Sequence, residues 1–230
     1  MDLNQRKRWN ENHKKLTSLI LKTSEHKNTI DLLLHQHSLL HSSQINNLPF
    51  VTLEDELIKD LKEETLRKYP VAVPGTINSI AWHIWHITRI EDMTMNVLVN
   101  QDEQVLFSGD WHKRLKVDYM NTGNGMTENE VADLTSNIDI SSLLAYRMEV
   151  GRKTREIVTG LQLGQFKQKV EARRIKILED QGAVKKEALW LLEYWGKKSI
   201  AGLILMPATR HNYLHLNKSM RIKQKIQKTK

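Results

Sequence analysis

Two of the ten histidines, His211 and His215, stand four residues apart near the C-terminus. On a helix, this spacing places both imidazoles on one face, where they can bind one cation with zinc–nitrogen bonds of about 2.0–2.1 Å. A third ligand must come from elsewhere in the chain. Such an ion keeps an open position for water or substrate, as catalytic metal sites do. The alternative is a pair of histidines that pack or face solvent without binding a metal.

Candidates for the third ligand lie in the segment of residues 80–96, which contains His83 and His86. At about 100° per residue, its apolar positions predict a helix with His83 on the apolar side and His86 at the margin of that side. A buried neutral imidazole needs a partner for each ring nitrogen, and a metal ion is one such partner. We expect one metal ligand from this helix, while the other histidine lines the pocket or hydrogen-bonds to a neighbour.

A second pair with the same spacing, His37 and His41, lies on the first predicted helix. That helix is expected to run antiparallel to the one at residues 80–96, with the two histidine groups at similar heights. His37 and His41 are therefore predicted to line the pocket or serve as reserve ligands. Alternatively, they are helix-terminal histidines favoured by the helix dipole.

Two acidic residues, Glu91 and Asp92, follow His86 on the same predicted helix. They could accept hydrogen bonds from metal ligands or face solvent, and we expect Asp92 to be exposed. Glu91 is grouped with the predicted pocket-lining residues, which are His83, His37, His41 and Glu91.

The elements that must position these residues are helices. Apolar residues at helical spacing predict three long helices. The first covers residues 8–44 with a possible break near 23–26, the central one extends from a Thr76 cap to about 100, and the third covers 139–160. A fourth contains residues 210–224 and is kinked or begun by Pro207. Four shorter helices are also predicted. One covers residues 52–68 and is capped by Thr52, and the next begins at a capping box formed by Thr127 and Glu130. The third is a surface helix over 164–181, and the fourth runs from about 184 to a boundary at Gly196 and Ser199. The predicted fold is an all-α antiparallel four-helix bundle with additional short helices.

The amino-acid composition limits the number of domains, the kind of metal ligand and the expected location of the protein. The 230 residues include ten Gly and four Pro with no linker-like stretch, which favours a single domain over residues 1–230. The chain has no Cys, so any metal must be held by His, Asp or Glu. It has neither an apolar run of transmembrane length nor a hydrophobic signal core, so we expect a cytoplasmic protein that does not enter a membrane.

The basic charge is concentrated at one end of the chain. Seven of the eight net positive charges lie in residues 210–230, which contain no acidic residue. We interpret the segment from about 218 as a basic C-terminal tail. A charge run of this kind is usually a solvated helix end, and nucleic-acid binding is not expected.

The segments AWHIWHITRIED and MPATRHNYLHLNKSMRI together resemble the DinB-like superfamily of metal-binding four-helix bundles. That family carries one histidine ligand on the second bundle helix, followed five positions later by an acidic residue, and an H-x-x-x-H pair on the last helix. The pattern matches His86 with Glu91, whereas His83 is followed at that distance by Thr88. The resemblance therefore implies His86, His211 and His215 as ligands. This chain departs from the family in its length, in extra helical material at about 162–195 and in the histidines of the first helix.

The resemblance also implies a function. Family members bind a divalent ion such as zinc, nickel or iron, and some are transferases or isomerases that use low-molecular-weight thiols. The expected protein is a metal-dependent enzyme, a thiol transferase or hydrolase, acting on a small molecule such as a low-molecular-weight thiol. Exposed Trp residues and a free bundle face lead us to expect a homodimer. The alternative is a non-catalytic metal-binding or interaction protein whose basic tail contacts an acidic partner.

Overall fold

The computed structural model describes residues 3–227 and contains helices joined by turns, with no strand in that range. Its long helices are α1 (Leu3–Leu19), α2 (His26–Ser38), α5 (Ile80–Asp92), α9 (Ile140–Gly160) and α13 (Asn212–Gln227). Its shorter helices are α3 (Leu53–Ile58), α4 (Glu63–Leu66), α6 (Val105–Ser108), α7 (Trp111–Arg114), α8 (Glu128–Asn137), α10 (Ala172–Asp180), α11 (Trp190–Gly196) and α12 (Ile200–Leu205). The predicted all-α bundle is confirmed.

Several predicted helix boundaries are found in the structure. The break in the first run is a 3₁₀ turn at Thr23–Glu25, which separates α1 from α2. Thr52 caps α3 in a capping box with Asp55, and Thr127 caps α8 in a capping box with Glu130. In both cases the threonine oxygen accepts a backbone N–H of the first turn that has no partner within the helix.

Two predictions about helices are wrong. The central helix is capped by Ser79, whose Oγ accepts the Trp82 N–H at 3.0 Å, rather than by Thr76. The helix predicted over 164–181 is confined to α10, because Gly164 adopts a left-handed conformation with φ of 89° and Gln165–Lys167 form a separate 3₁₀ turn before Ala172. Nor does α10 lie wholly on the surface, since Arg174 and Leu178 are buried.

The centre of the bundle is α5, whose thirteen residues are all buried. It packs against α9 and α13, and its polar side chains must therefore find partners within the protein. The expected exposure of Asp92 is wrong for this reason. Its carboxylate accepts hydrogen bonds from Tyr146 Oη at 2.5 Å and Arg89 Nη1 at 3.2 Å, together with the backbone N–H groups of residues 105 and 106.

Two π-helical segments extend the long helices. Met93–Val99 continues α5, and Met206–His211 joins α12 to α13 with Pro207 in its first turn. The missing Pro207 N–H and the wider turn leave carbonyls without their usual partners. The Leu205 carbonyl accepts from His13 Nε2 at 3.0 Å and from Thr209 Oγ1 at 2.9 Å, so side chains replace the lost helical bonds. Turns of this type often occur at functional sites, and this one ends at His211.

The C-terminal basic segment is helical as far as the structure describes it. The Nζ of Lys223 donates to the carbonyls of Glu56 and Leu57 at 3.0 and 2.9 Å and to that of Lys59, at the end of α3. This part of the segment is therefore a packed helix end that completes α3. The remaining basic residues Lys228 and Lys230 lie outside the described residues. None of the described helices is both long enough and apolar enough to cross a membrane.

Candidate metal centre

Three imidazoles from sequence-distant helices converge on one point in the bundle. One ring nitrogen each from His86, His211 and His215 lies within 4.8 Å of the others. The centroid of the His86 ring is 4.9 Å from that of His211 and 4.8 Å from that of His215, and the last two are 4.4 Å apart. The i, i+4 pair at the start of the last helix thus faces His86 of α5, as a tridentate site requires.

The orientation of His86 is determined by a backbone carbonyl. Its Nδ1 lies 2.5 Å from the Thr122 oxygen, which can only accept, so Nδ1 carries the proton and the Nε2 lone pair is free. The indole of Trp82 stacks on the same ring at 4.4 Å. At Gly123 φ is 85°, and a Cβ there would approach Trp85 Cζ3 to 2.6 Å, so glycine allows the loop to bring Thr122 close. Outer hydrogen bonds of this kind orient metal-binding histidines.

His83 lies outside the triad and supports it. Its Nδ1 is 2.9 Å from His215 Nδ1, and its Nε2 is 2.9 Å from Thr76 Oγ1, which also accepts the Asn78 N–H. When His83 donates through Nε2 to Thr76, its Nδ1 accepts the His215 Nδ1 proton. The His215 Nε2 lone pair is then available to a cation.

One ring nitrogen of His211 lacks a partner within the described part of the protein. Its Nδ1 is buried and has no hydrogen-bond partner within residues 3–227. A buried polar atom without a partner costs free energy, and a cation held by the triad is a partner that this nitrogen could have.

All these imidazoles are neutral near pH 7. Burial lowers the pKa of His86 to about 4, although its bond to Thr122 acts in the opposite direction, and burial lowers the pKa of His83 to about 3. Burial and the neighbouring imidazoles place the pKa values of His211 and His215 well below the usual range. Neutral imidazoles are the form that binds metal, so protons do not compete for these nitrogens at neutral pH.

The cluster is buried on one side and partly exposed on the other. His86 is buried, whereas His211 and His215 are half-buried, so the last helix forms the solvent-facing side. Lys218, one turn after His215, lowers the pKa of the triad imidazoles through its positive charge. No carboxylate of residues 3–227 forms an ion pair with it. Its charge therefore favours an anionic group beside the three nitrogens.

His37, His41 and Glu91, predicted to line the pocket, come together in a second buried cluster. The Nε2 atoms of the two histidines contact the two oxygens of Glu91 at 2.8 and 3.1 Å.

Sequence reasoning identified these side chains but missed the residues that orient both clusters. Thr122 acts through its backbone and gives no sequence signal, while Asn212 could have been suspected from its position beside His211.

Comparison with known proteins identifies the family. The sequence profile of the DinB superfamily matches residues 54–217. The chain belongs to the DinB superfamily. A crystal structure of a conserved protein from Enterococcus faecalis is similar to it with a TM-score of 0.55 and 14% identity, covering 88% of this chain and 95% of that one. That likeness concerns the fold alone, and no curated protein matches this DinB-superfamily chain.

Proposed function

We propose that this DinB-superfamily chain is a divalent-metal-dependent enzyme in which His86, His211 and His215 hold the ion. The observation that carries the proposal is the convergence of three neutral imidazoles whose ligand atoms lie within 4.8 Å of one another. Within residues 3–227, three possible protein ligands meet there, and two of them are half-buried. This arrangement is typical of catalytic sites, which keep a position for substrate, rather than of closed four-ligand structural sites.

The proposed reaction class is thiol transfer or hydrolysis of a small molecule. When bound, zinc, nickel or iron lowers the pKa of a coordinated thiol or water and so supplies a nucleophile near neutral pH. The residues of the chain prepare this chemistry. Thr122 and His83 orient two of the ligands, Trp82 covers the His86 ring, and Lys218 attracts an anion. A low-molecular-weight thiol, which binds metal as the thiolate, fits this positive site.

Cobalt substitution tests the proposal because thiolate binding to Co²⁺ produces a charge-transfer absorption band. Metal-free protein is loaded with Co²⁺ and titrated with glutathione and with 2-mercaptoethanol. We expect the band to appear for the wild type and for His35→Ala, an exposed histidine of α2 that serves as the matched control. It should be absent from the His211→Ala/His215→Ala variant. A cobalt-loaded wild type whose spectrum no thiol or anion changes would favour the non-catalytic alternative.

Two further proposals concern the oligomeric state and the cellular location of the protein. Exposed apolar side chains such as Trp190, which is 57% exposed, support a homodimer. Sedimentation velocity of the full chain measures this directly, and a single species at the 26.9 kDa monomer mass would exclude a dimer. A cytoplasmic location is consistent with the absence of a candidate membrane-spanning helix in the described part of the chain.

A further inference from the structure

The second cluster joins α2 to α5 at a fully buried position. His37 lies in the last turn of α2, and His41 lies in the turn that follows the end of α2 at Ser38. Each presents its Nε2 atom to Glu91, and the two rings stack at 4.1 Å with an angle of 21°. Glu91 Oε1 lies 2.8 Å from His37 Nε2, and Oε2 lies 3.1 Å from His41 Nε2. The three residues are at most 2% exposed. The ring nitrogens on the other side, both Nδ1 atoms, have no hydrogen-bond partner within residues 3–227.

Glu91 differs from the other buried acids of the bundle in its neighbours. Asp92 is paired with Arg89 at 3.2 Å, and Glu54 with Arg147 at 2.6 Å. Within residues 3–227, Glu91 has no Lys or Arg partner, and its contacts are the two imidazoles and the Asn212 amide. A buried carboxylate requires a compensating positive charge.

That charge is either a proton on an imidazole or a bound cation. Both rings are buried and face each other at 4.1 Å, so a proton on either ring would place an unsolvated charge against the other ring. A second proton shared with the stacked ring would place like charges in contact. A divalent cation compensates the carboxylate without charging either ring.

We propose that His37 Nε2, His41 Nε2 and the Glu91 carboxylate form a second divalent-cation site. The nitrogen–oxygen separations of 2.8 and 3.1 Å match the spacing of roughly 3 Å expected for neighbouring ligands with metal bonds of about 2.0–2.2 Å. Two histidines and one carboxylate form a ligand set suited to Zn²⁺, Fe²⁺ or Mn²⁺. Asn212 Nδ2 donates to Glu91 Oε2 at 2.8 Å and orients the carboxylate.

This site is distinct from the triad and differs from it in character. The two ligand sets share no residue, and Glu91 lies five residues after His86, a rise of about 7.5 Å along α5. All three members of the second set are buried, whereas the triad has two half-buried members. Like the triad, the second set offers three protein ligands, but all three are buried, so we assign its ion a structural role that links the end of α2 to α5 and does not depend on the proposed enzymatic function. Asn212 connects the neighbourhoods of the two ions, because it contacts Glu91 and directly follows His211.

Counting metal ions tests this site separately from the triad. Chelator-treated protein is reloaded with Zn²⁺, freed of excess metal by gel filtration, and analysed for zinc per chain by mass spectrometry. We expect two equivalents in the wild type and in His35→Ala, and one in His211→Ala/His215→Ala. Glu91→Gln, which keeps the shape but removes the charge, should also lose one equivalent. If Glu91→Gln does not fold, His41→Gln replaces it.

The outcomes separate the two hypotheses. One equivalent in the wild type that disappears in His211→Ala/His215→Ala overturns the second site and leaves the proposed function standing. One equivalent that survives in that variant but is lost in Glu91→Gln overturns the triad and supports the second site. The zinc content of the His211→Ala/His215→Ala variant alone decides whether zinc binds outside the triad. A content of zero equivalents would contradict the proposed second site.

Discussion

The Nδ1 atoms of His83 and His215 lie 2.9 Å apart, which connects a residue outside the histidine triad to one inside it. Two imidazole nitrogens at this distance share one proton, and the Thr76 hydroxyl beside His83 Nε2 influences which ring carries it. Sequence reasoning alone could not decide which histidine of α5 belongs with the last helix. The structure places His86 in the triad and His83 behind His215.

Substituting these two histidines should therefore have unequal effects on metal affinity. His86→Ala removes a ligand and should abolish tight binding at the triad. His83→Ala leaves all three ligands in place but removes the group that orients His215, which should weaken binding by about 10–100-fold. Competition with a chromophoric chelator measures both constants. A greater loss for His83→Ala than for His86→Ala would reverse the assignment.

Lys218 should affect substrate binding more than metal binding. Its positive charge acts on the triad imidazoles, yet it is not a ligand. In cobalt-loaded protein, Lys218→Ala should weaken thiolate binding several-fold, by about 1 kcal/mol or less for a partly exposed charge, and leave the cobalt content unchanged. Lys113→Ala, an exposed lysine paired with Asp110, is the control. Equal thiol affinities in the two variants would show that Lys218 plays no part.

Gly151 of α9 should be sensitive to a single methyl group. A Cβ there would lie 2.7 Å from His41 Nδ1 and 2.8 Å from Ile45 Cδ1, so Gly151→Ala should destabilise the fold by about 1–3 kcal/mol. Gly160, in the last turn of the same helix, has no atom within 4 Å of such a Cβ. Gly160→Ala should therefore change stability little. Urea midpoints of the two variants test the difference, and equal midpoints would mean that His41 is not tightly packed.

The metal-free protein should lose stability in mild acid. The pKa values of His83 and His86 are lowered from 6.5 to about 3 and about 4, so between these limits the unfolded chain binds more protons than the folded one. The free energy of unfolding should fall as the pH drops below about 6.5, by about 1.4 kcal/mol per pH unit for each such histidine. Urea unfolding from about pH 7.5 to about pH 4.5 measures the slope. His86→Ala should reduce the slope, and a flat profile would show that these imidazoles are accessible to protons.

Local features of the sequence predict the helices and the candidate metal ligands. They do not predict the residues that contact those ligands. His211 and His215 stand at helical spacing, and apolar periodicity places His83 and His86 on a buried helix. Thr122, in contrast, contributes a backbone carbonyl from an irregular segment, a contact determined by how the loop packs. Asp92 is misassigned because charge suggests exposure, whereas its carboxylate is paired within the protein. Besides Arg89 and Asn96 of the adjacent turns, its partners are Tyr146 of α9 and two backbone N–H groups of the segment that follows the helix. The π turn at Met206–His211 depends on His13 of α1, which no local pattern indicates.

Anomalous scattering from a crystal of the purified protein, recorded at the absorption edge of the metal it contains, tests the central claim most directly. We predict a peak about 2.0–2.1 Å from His86 Nε2 and at bonding distance from one ring nitrogen each of His211 and His215. It should have a non-protein ligand on the solvent side. A map from metal-loaded crystals with no peak among these three imidazoles would contradict the account.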